Sequence, residues 1–142
     1  MPDEYPIHDL WIRPIALDTI QAASVWHVLA FEDNVLGRFG SLQVIRLPSG
    51  SETPFRVHDR SDEVWALIEG RAKCAWQDLR PNSPTRNQVH RAEFTQPTAM
   101  LAPFGVAFGA QAIDGPALLL RVMTESEAQP DEARTLEWPE GA

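Results

Sequence analysis

An internal disulfide is impossible in this chain, because it holds a single cysteine, Cys74. One thiol also supplies none of the spaced pairs that zinc modules use, and an unpaired cysteine fits a reducing, cytoplasmic setting. Basic side chains are scarce as well: 12 Lys and Arg stand against 20 Asp and Glu, for a net charge of -8 and a pI near 4.9. Gripping a phosphate backbone takes clustered Lys and Arg, so nucleic acid is not an expected partner. Long apolar runs are missing, none approaching the roughly 20 residues of a membrane span. The opening MPDEYPIHDL shows no basic-then-apolar signal pattern. These gaps lead us to expect a cytoplasmic protein with no membrane partner.

What the chain does have is apolar content and punctuation. At 142 residues and 44% hydrophobic, it can bury one good core and is too short for two ordinary domains. A single domain spanning 1–142 is expected, with a core over about residues 25–124 and an acidic tail over 125–142. Twelve prolines and eight glycines break the sequence into short apolar runs, the mark of an all-β sandwich or barrel. The strands expected are Val25 to Phe31, Ser41 to Leu47, Pro54 to His58, Glu63 to Glu69, Arg71 to Gln77, His90 to Thr95, Met100 to Ala102, Val106 to Ala112 and Ala117 to Thr124. Leu17 to Ser24 is the one weak helical candidate, without a sustained apolar period. Trp138 in the tail is expected to fold back onto the barrel or onto a second subunit.

The segment His58 to Gly70, HDRSDEVWALIEG, concentrates the chemistry. Four residues separate His58 from Glu63, and six separate Glu63 from Gly70. A polar turn leads into an apolar strand that a glycine ends. Side chains alternate faces along a strand, which puts Glu63, Trp65 and Leu67 together. A carboxylate beside two bulky apolar groups points into a crevice or barrel, where small ligands bind.

That spacing resembles the first motif of the cupin superfamily, and Pro103 to Phe108, PFGVAF, resembles the second. The likeness covers about Gly40 to Thr124 and implies a double-stranded β-helix, the jelly-roll barrel that holds its ligand inside. A narrower resemblance, to dTDP-4-dehydrorhamnose 3,5-epimerases, is carried by Asp78, Leu79, Arg80, Ser83, Pro84 and Thr85 (DLRPNSPT) and by Leu101, Pro103, Gly105, Ala107 and Gly109 (LAPFGVAFG). Gly40 to Ile45 and Thr53 to Phe55 are similar to the related dTDP-sugar 3,4-ketoisomerases. The family implies a small-molecule ligand, in particular a nucleotide sugar. In such epimerases a His is the base, a Lys steadies the enolate, an Asp orients the base and a Tyr returns the proton. Here His58 stands for the base, Glu63 takes the place of the Lys, Cys74 that of the Asp, and Phe108 that of a second His. The only tyrosine is Tyr5.

Departures from the metal-binding cupin pattern argue for no metal and no cofactor. Arg56 stands where the first metal His belongs and Phe108 where the last belongs, leaving His58 and Glu63. Metal sites that do chemistry usually take three protein ligands, and a guanidinium has no lone pair to give. Instead, an imidazole beside a carboxylate is a workable proton-transfer pair. The expected site therefore has His58 and Glu63 as catalytic residues, Arg56 as a clamp for an anion or a developing oxyanion, and Trp65, Cys74, Trp76 and Phe108 on the ligand-facing wall. Two readings stay open: a metal-independent epimerase or isomerase of a keto sugar or related carbonyl compound, and a barrel that binds or assembles without catalysis; a metal cupin that recruits His90 or a tail carboxylate ranks last. Arg56 could equally pair with Asp59, Asp62 or Glu63, Trp65 and Trp76 could be plain core, and DLRPNSPT could be kept for its turn. Exposed sheet edges favour a homodimer.

Overall fold

The architecture follows from short strands with one apolar face. The computed structural model describes residues 6–125 and 133–139; Tyr5 and most of the acidic tail lie outside them. Twelve strands run β1 (Ile12–Pro14), β2 (Ala16–Ile20), β3 (Ala23–His27), β4 (Ser41–Leu47), β5 (Phe55–Val57), β6 (Glu63–Glu69), β7 (Ala72–Asp78), β8 (Val89–Phe94), β9 (Thr98–Ala102), β10 (Val106–Ala112), β11 (Ala117–Met123) and β12 (Arg134–Leu136). Two five-stranded antiparallel sheets, ordered β1-β9-β6-β11-β4 and β12-β5-β10-β7-β8, make the expected jelly-roll, and β2-β3 forms a separate hairpin. Among the described residues no helix is long and apolar enough to cross a membrane.

Alternation decides which side chains meet. Along β11 the pattern is strict, with Ala117, Leu119, Arg121 and Met123 buried and the residues between them half-buried. The main core joins Trp65, Leu67, Cys74, Trp76, Met100, Phe108 and Leu119 between the two sheets. β6 is buried on both faces, because its outward Ala66 packs with Ile15 and Ala99 beneath Trp11, Trp26 and Val28. Trp26 fixes this cover by donating from its indole to the Ile68 carbonyl at 3.1 Å. The β6–β7 turn requires Gly70: its φ is +91°, and a Cβ there would lie 2.3 Å from the Pro116 carbonyl oxygen.

One expectation is corrected and another is extended. Leu17 to Ser24 is not helical but the heart of the β2-β3 hairpin, whose turn places Gln21 at φ 56°; the strand expected from Val25 is the second arm of that hairpin and ends at His27. The tail is also partly structured. β12 pairs with β5, opposing Thr135 to Arg56, and Trp138 folds back on the barrel. Its ring stacks 5.4 Å from Phe55 and its indole donates to the Thr53 carbonyl at 3.2 Å. Gly109 makes the room, since a Cβ there would sit 2.5 Å from the Trp138 ring.

The DLRPNSPT segment is a hydrogen-bonded loop built on Asp78. This fully buried carboxylate accepts from the Arg80 amide (3.1 Å), Arg80 Nε (2.9 Å), Arg80 Nη2 (3.0 Å), Thr85 Oγ1 (2.7 Å) and Ser83 Oγ. Burial alone would raise its pKa, but these donors together outweigh it and hold the carboxyl well below the usual carboxylate range. A carboxyl depressed in the folded state contributes stability that is present above its unfolded pKa and is lost as pH falls through the folded value. Urea midpoints of wild type and Asp78→Asn should accordingly differ most at neutral pH and converge on acidification below about pH 4. A constant gap from pH 7 to pH 3 would refute this role.

Candidate functional site

A hollow of about 370 Å³ opens between the sheets, lined by β4 (Gln43, Ile45, Leu47), the approach to β5 (Glu52, Thr53, Pro54), Arg56, His58, Glu63, Trp65, Phe108 and Arg121. Strand register assembles its inner end. Arg121 on β11 lies directly opposite Gln43 on β4 and Trp65 on β6, so the three form one row across the sheet. Glu63 starts β6 on the same face, and His58 follows β5 in the opposing sheet.

Buried polar groups converge there. His58, Glu63 and Arg121 are 5%, 4% and 8% exposed. His58 Nε2 lies 3.4 Å from Glu63 Oε1 and 3.0 Å from Arg121 Nη2. Arg121 Nε donates to Glu63 Oε2, and Arg121 Nη1 donates to Gln43 Oε1 at 3.0 Å. A guanidinium only donates, so His58 accepts this bond on Nε2 and carries its ring proton on Nδ1. The guanidinium also lies over the Trp65 ring, 5.4 Å from its centre. Both charges have left water, and each compensates the other's lost hydration. Trp65 and Phe108 pack at 5.2 Å as the apolar wall. The Trp65 indole N–H is buried and has no hydrogen-bond partner among the described residues, an uncommon state for a buried donor.

Five of the seven residues expected from sequence thus line one hollow: Arg56, His58, Glu63, Trp65 and Phe108. The other two do not. Cys74 and Trp76 face inward on β7 but pack in the core. Trp76 is fully buried, bonded to the Leu101 carbonyl at 3.1 Å and stacked on Phe108 and His90. Burial pushes the Cys74 thiol far above its ordinary range, which leaves it an inert small hydrophobe. Arg56 stands exposed on the rim and, among the described residues, its guanidinium makes no ion pair or hydrogen bond, so it does not pair with Asp59, Asp62 or Glu63. The cation beside His58 is Arg121, which motif reading missed. One signal for it existed: in ALLLRVM the arginine shares the buried parity of Ala117 and Leu119.

Metal-ligating groups are sparse here. No set of three or more His, Cys, Asp or Glu gathers among the described residues. The donors present do not suit a cation, because His58 and Glu63 already face a guanidinium that would repel it. A second hollow, about 570 Å³ and more open, lies by the Asp78 loop between His8, Arg80, Phe104 and Arg134. Its arginine Arg80 is already matched to Asp78 and Asp9.

Comparison with known proteins places this geometry in context. No family model matches the chain. The spore coat polysaccharide biosynthesis protein SpsL of Bacillus subtilis is 29% identical over 108 residues, 72% of each chain. Among solved structures, a dTDP sugar isomerase from Desulfovibrio desulfuricans superimposes with a TM-score of 0.83 at 18% identity, covering 96% of this chain and 88% of its own. The dTDP-6-deoxy-D-glucose-3,5-epimerase of Legionella pneumophila, solved with dTDP-4-keto-L-rhamnose, gives 0.81 at 15%, covering 93% and 74%. A dTDP-4-dehydrorhamnose 3,5-epimerase from Bacillus anthracis, with TDP and pyrophosphate bound, gives 0.81 at 16%, covering 97% and 84%. The barrel is therefore the cupin fold that these dTDP-sugar enzymes share.

Proposed function

We propose that the chain is a metal-independent isomerase or epimerase of a nucleotide-linked keto sugar or a related small carbonyl compound. One observation carries this reading: an imidazole with a buried carboxylate at 3.4 Å ends a ligand-sized hollow walled by Trp65 and Phe108. His58 removes a proton from the carbon next to the ketone, and Glu63 stabilises the imidazolium that forms. The sugar ring packs its apolar face on the aromatic wall. Arg56, exposed at the rim, takes the anionic phosphates outside the barrel. Similarity in sequence to a polysaccharide biosynthesis protein and in fold to dTDP-sugar enzymes supports this substrate class. A buried, unpaired Cys74 suits the reducing cytoplasm.

The test is solvent exchange. Incubated in heavy water with a dTDP-linked 4-keto-6-deoxy sugar, the wild-type protein should place deuterium on a carbon beside the ketone. Absence of exchange, with a thermal shift by the same compound, would leave the barrel as a binding module; absence of both would remove the ligand class.

The same reading includes a homodimer. Among the described residues β4 is an edge of its sheet, and its outward Leu42 and Val44, with Phe39 nearby, are exposed. An open edge beside apolar side chains is what a second copy covers. Light scattering at micromolar concentration should give twice the 15.9 kDa chain mass; a monomer mass would refute the dimer.

A further inference from the structure

Resting on the isomerase reading, we propose that Arg121 is itself a catalytic residue, the group that takes the ketone oxygen as it becomes an enolate. Removing a proton beside a carbonyl needs a lone pair at the C–H bond and a cationic donor at the oxygen one carbon further on, so base and cation must stand side by side. Arg121 Nη2 and His58 Nε2 stand in that relation, 3.0 Å apart. In the structure they bond to each other. A keto sugar entering the hollow exchanges that single bond for two contacts, its C–H at His58 Nε2 and its carbonyl oxygen at Nη2.

The electron count closes without any co-reactant. The C–H bond breaks, its proton goes to His58 Nε2, and its electron pair forms the C=C bond while the carbonyl π pair moves onto oxygen beside Arg121. A proton from solvent water enters on the opposite face of the carbon and gives the epimer, and His58 returns its proton to the hydroxide so formed, which restores the imidazole and leaves water unchanged overall. No atom is oxidised or reduced overall.

The surroundings suit Arg121 to this task better than Arg56. It is buried, where a cation acts with little screening, whereas Arg56 is solvated on the rim. Glu63 on its Nε and Gln43 on its Nη1 hold the plane of the guanidinium, and Trp65 supports its face at 5.4 Å. Preorganisation of this kind keeps a donor aimed at the place where charge develops. Glu63 consequently has two neighbours: it orients Arg121 and faces the imidazolium after proton transfer.

The experiment compares deuterium wash-in into a dTDP-linked 4-keto-6-deoxy sugar for wild type, His58→Ala, Arg121→Lys and the double variant Glu63→Gln with Arg121→Gln, which buries no lone charge. Each variant is first checked for a cooperative urea transition. Arg121→Lys and the double variant should lose about 10²- to 10³-fold in kcat with KM changed only a few-fold, because the oxyanion contact strengthens in the transition state. A folded double variant exchanging within threefold of wild type, while His58→Ala is inactive, overturns the role of Arg121 and leaves the base intact. Lack of exchange by the wild type overturns both.

Discussion

Arg121→Gln alone is expected to lower stability by about 3 to 5 kcal/mol, the usual effect of stripping a buried carboxylate of its partner. Glu63 is 4% exposed and its carboxylate faces Arg121 and His58. Removing the guanidinium leaves a buried carboxylate whose remaining ionisable neighbour among the described residues is His58, which can balance it only by taking up a proton. Most of the loss should be recovered when Glu63→Gln is added, because two neutral amides carry no such desolvation cost. The pair would then show strong non-additivity in a double-mutant cycle, as groups in direct contact do. Urea denaturation of the four proteins measures it. A single-variant loss below about 1 kcal/mol, in the range of exposed ion pairs, would mean that water reaches the pair freely.

The second large effect concerns chemistry. His58→Ala should reduce wash-in about 10²- to 10⁴-fold, the span that a positioned general base supplies. His58 is 5% exposed and its Nε2 is held between Glu63 and Arg121, so its loss removes an oriented base rather than one of several interchangeable ones. His90, by contrast, is half-buried against Trp76, where burial lowers its pKa, and it does not line the hollow. His90→Asn should leave exchange unchanged. Equal losses in the two variants would move the base away from His58.

Much of the barrel could be read from alternation alone. β4, β6 and β10 have the boundaries expected for them, because each is a seven-residue apolar or alternating run closed by Gly, Pro or a polar turn. β1 and β12 escaped because three residues are too few to show a period, and Pro14 reads as a breaker although an edge strand tolerates it. The β2-β3 hairpin was missed for a related reason. Its arms are exposed along most of their length, so no buried face imposed a pattern on them.

Legibility of the site failed at a different level. Cys74 and Trp76 do point inward, but neither resemblance nor residue type tells how far along the barrel axis a side chain lies, and both pack in the filled part of the core. Arg56 and His58 appeared equivalent by spacing, yet the rim falls between them. Arg121 is separated from Glu63 by 58 positions and belongs to no local motif, so only the three-dimensional register of β11 beside β6 joins them. The same register changes the meaning of Glu63. A carboxylate in place of an enolate-steadying lysine looks like a loss of function, whereas beside Arg121 it is the counter-charge of the cation that can do that work.

The proposed ligand site is the hollow between the sheets, against His58 and Arg121, rather than the wider one at the Asp78 loop. Titration of a dTDP-linked 4-keto-6-deoxy sugar into uniformly ¹⁵N-labelled protein, followed through side-chain N–H resonances, tests it directly. The Trp65 indole and Arg121 guanidinium signals should shift, while the Trp26 indole, bonded outside the barrel to Ile68, stays in place. Shifts confined to Arg80, Asn82 and the Phe104 amide, with Trp65 and Arg121 unmoved, would contradict it.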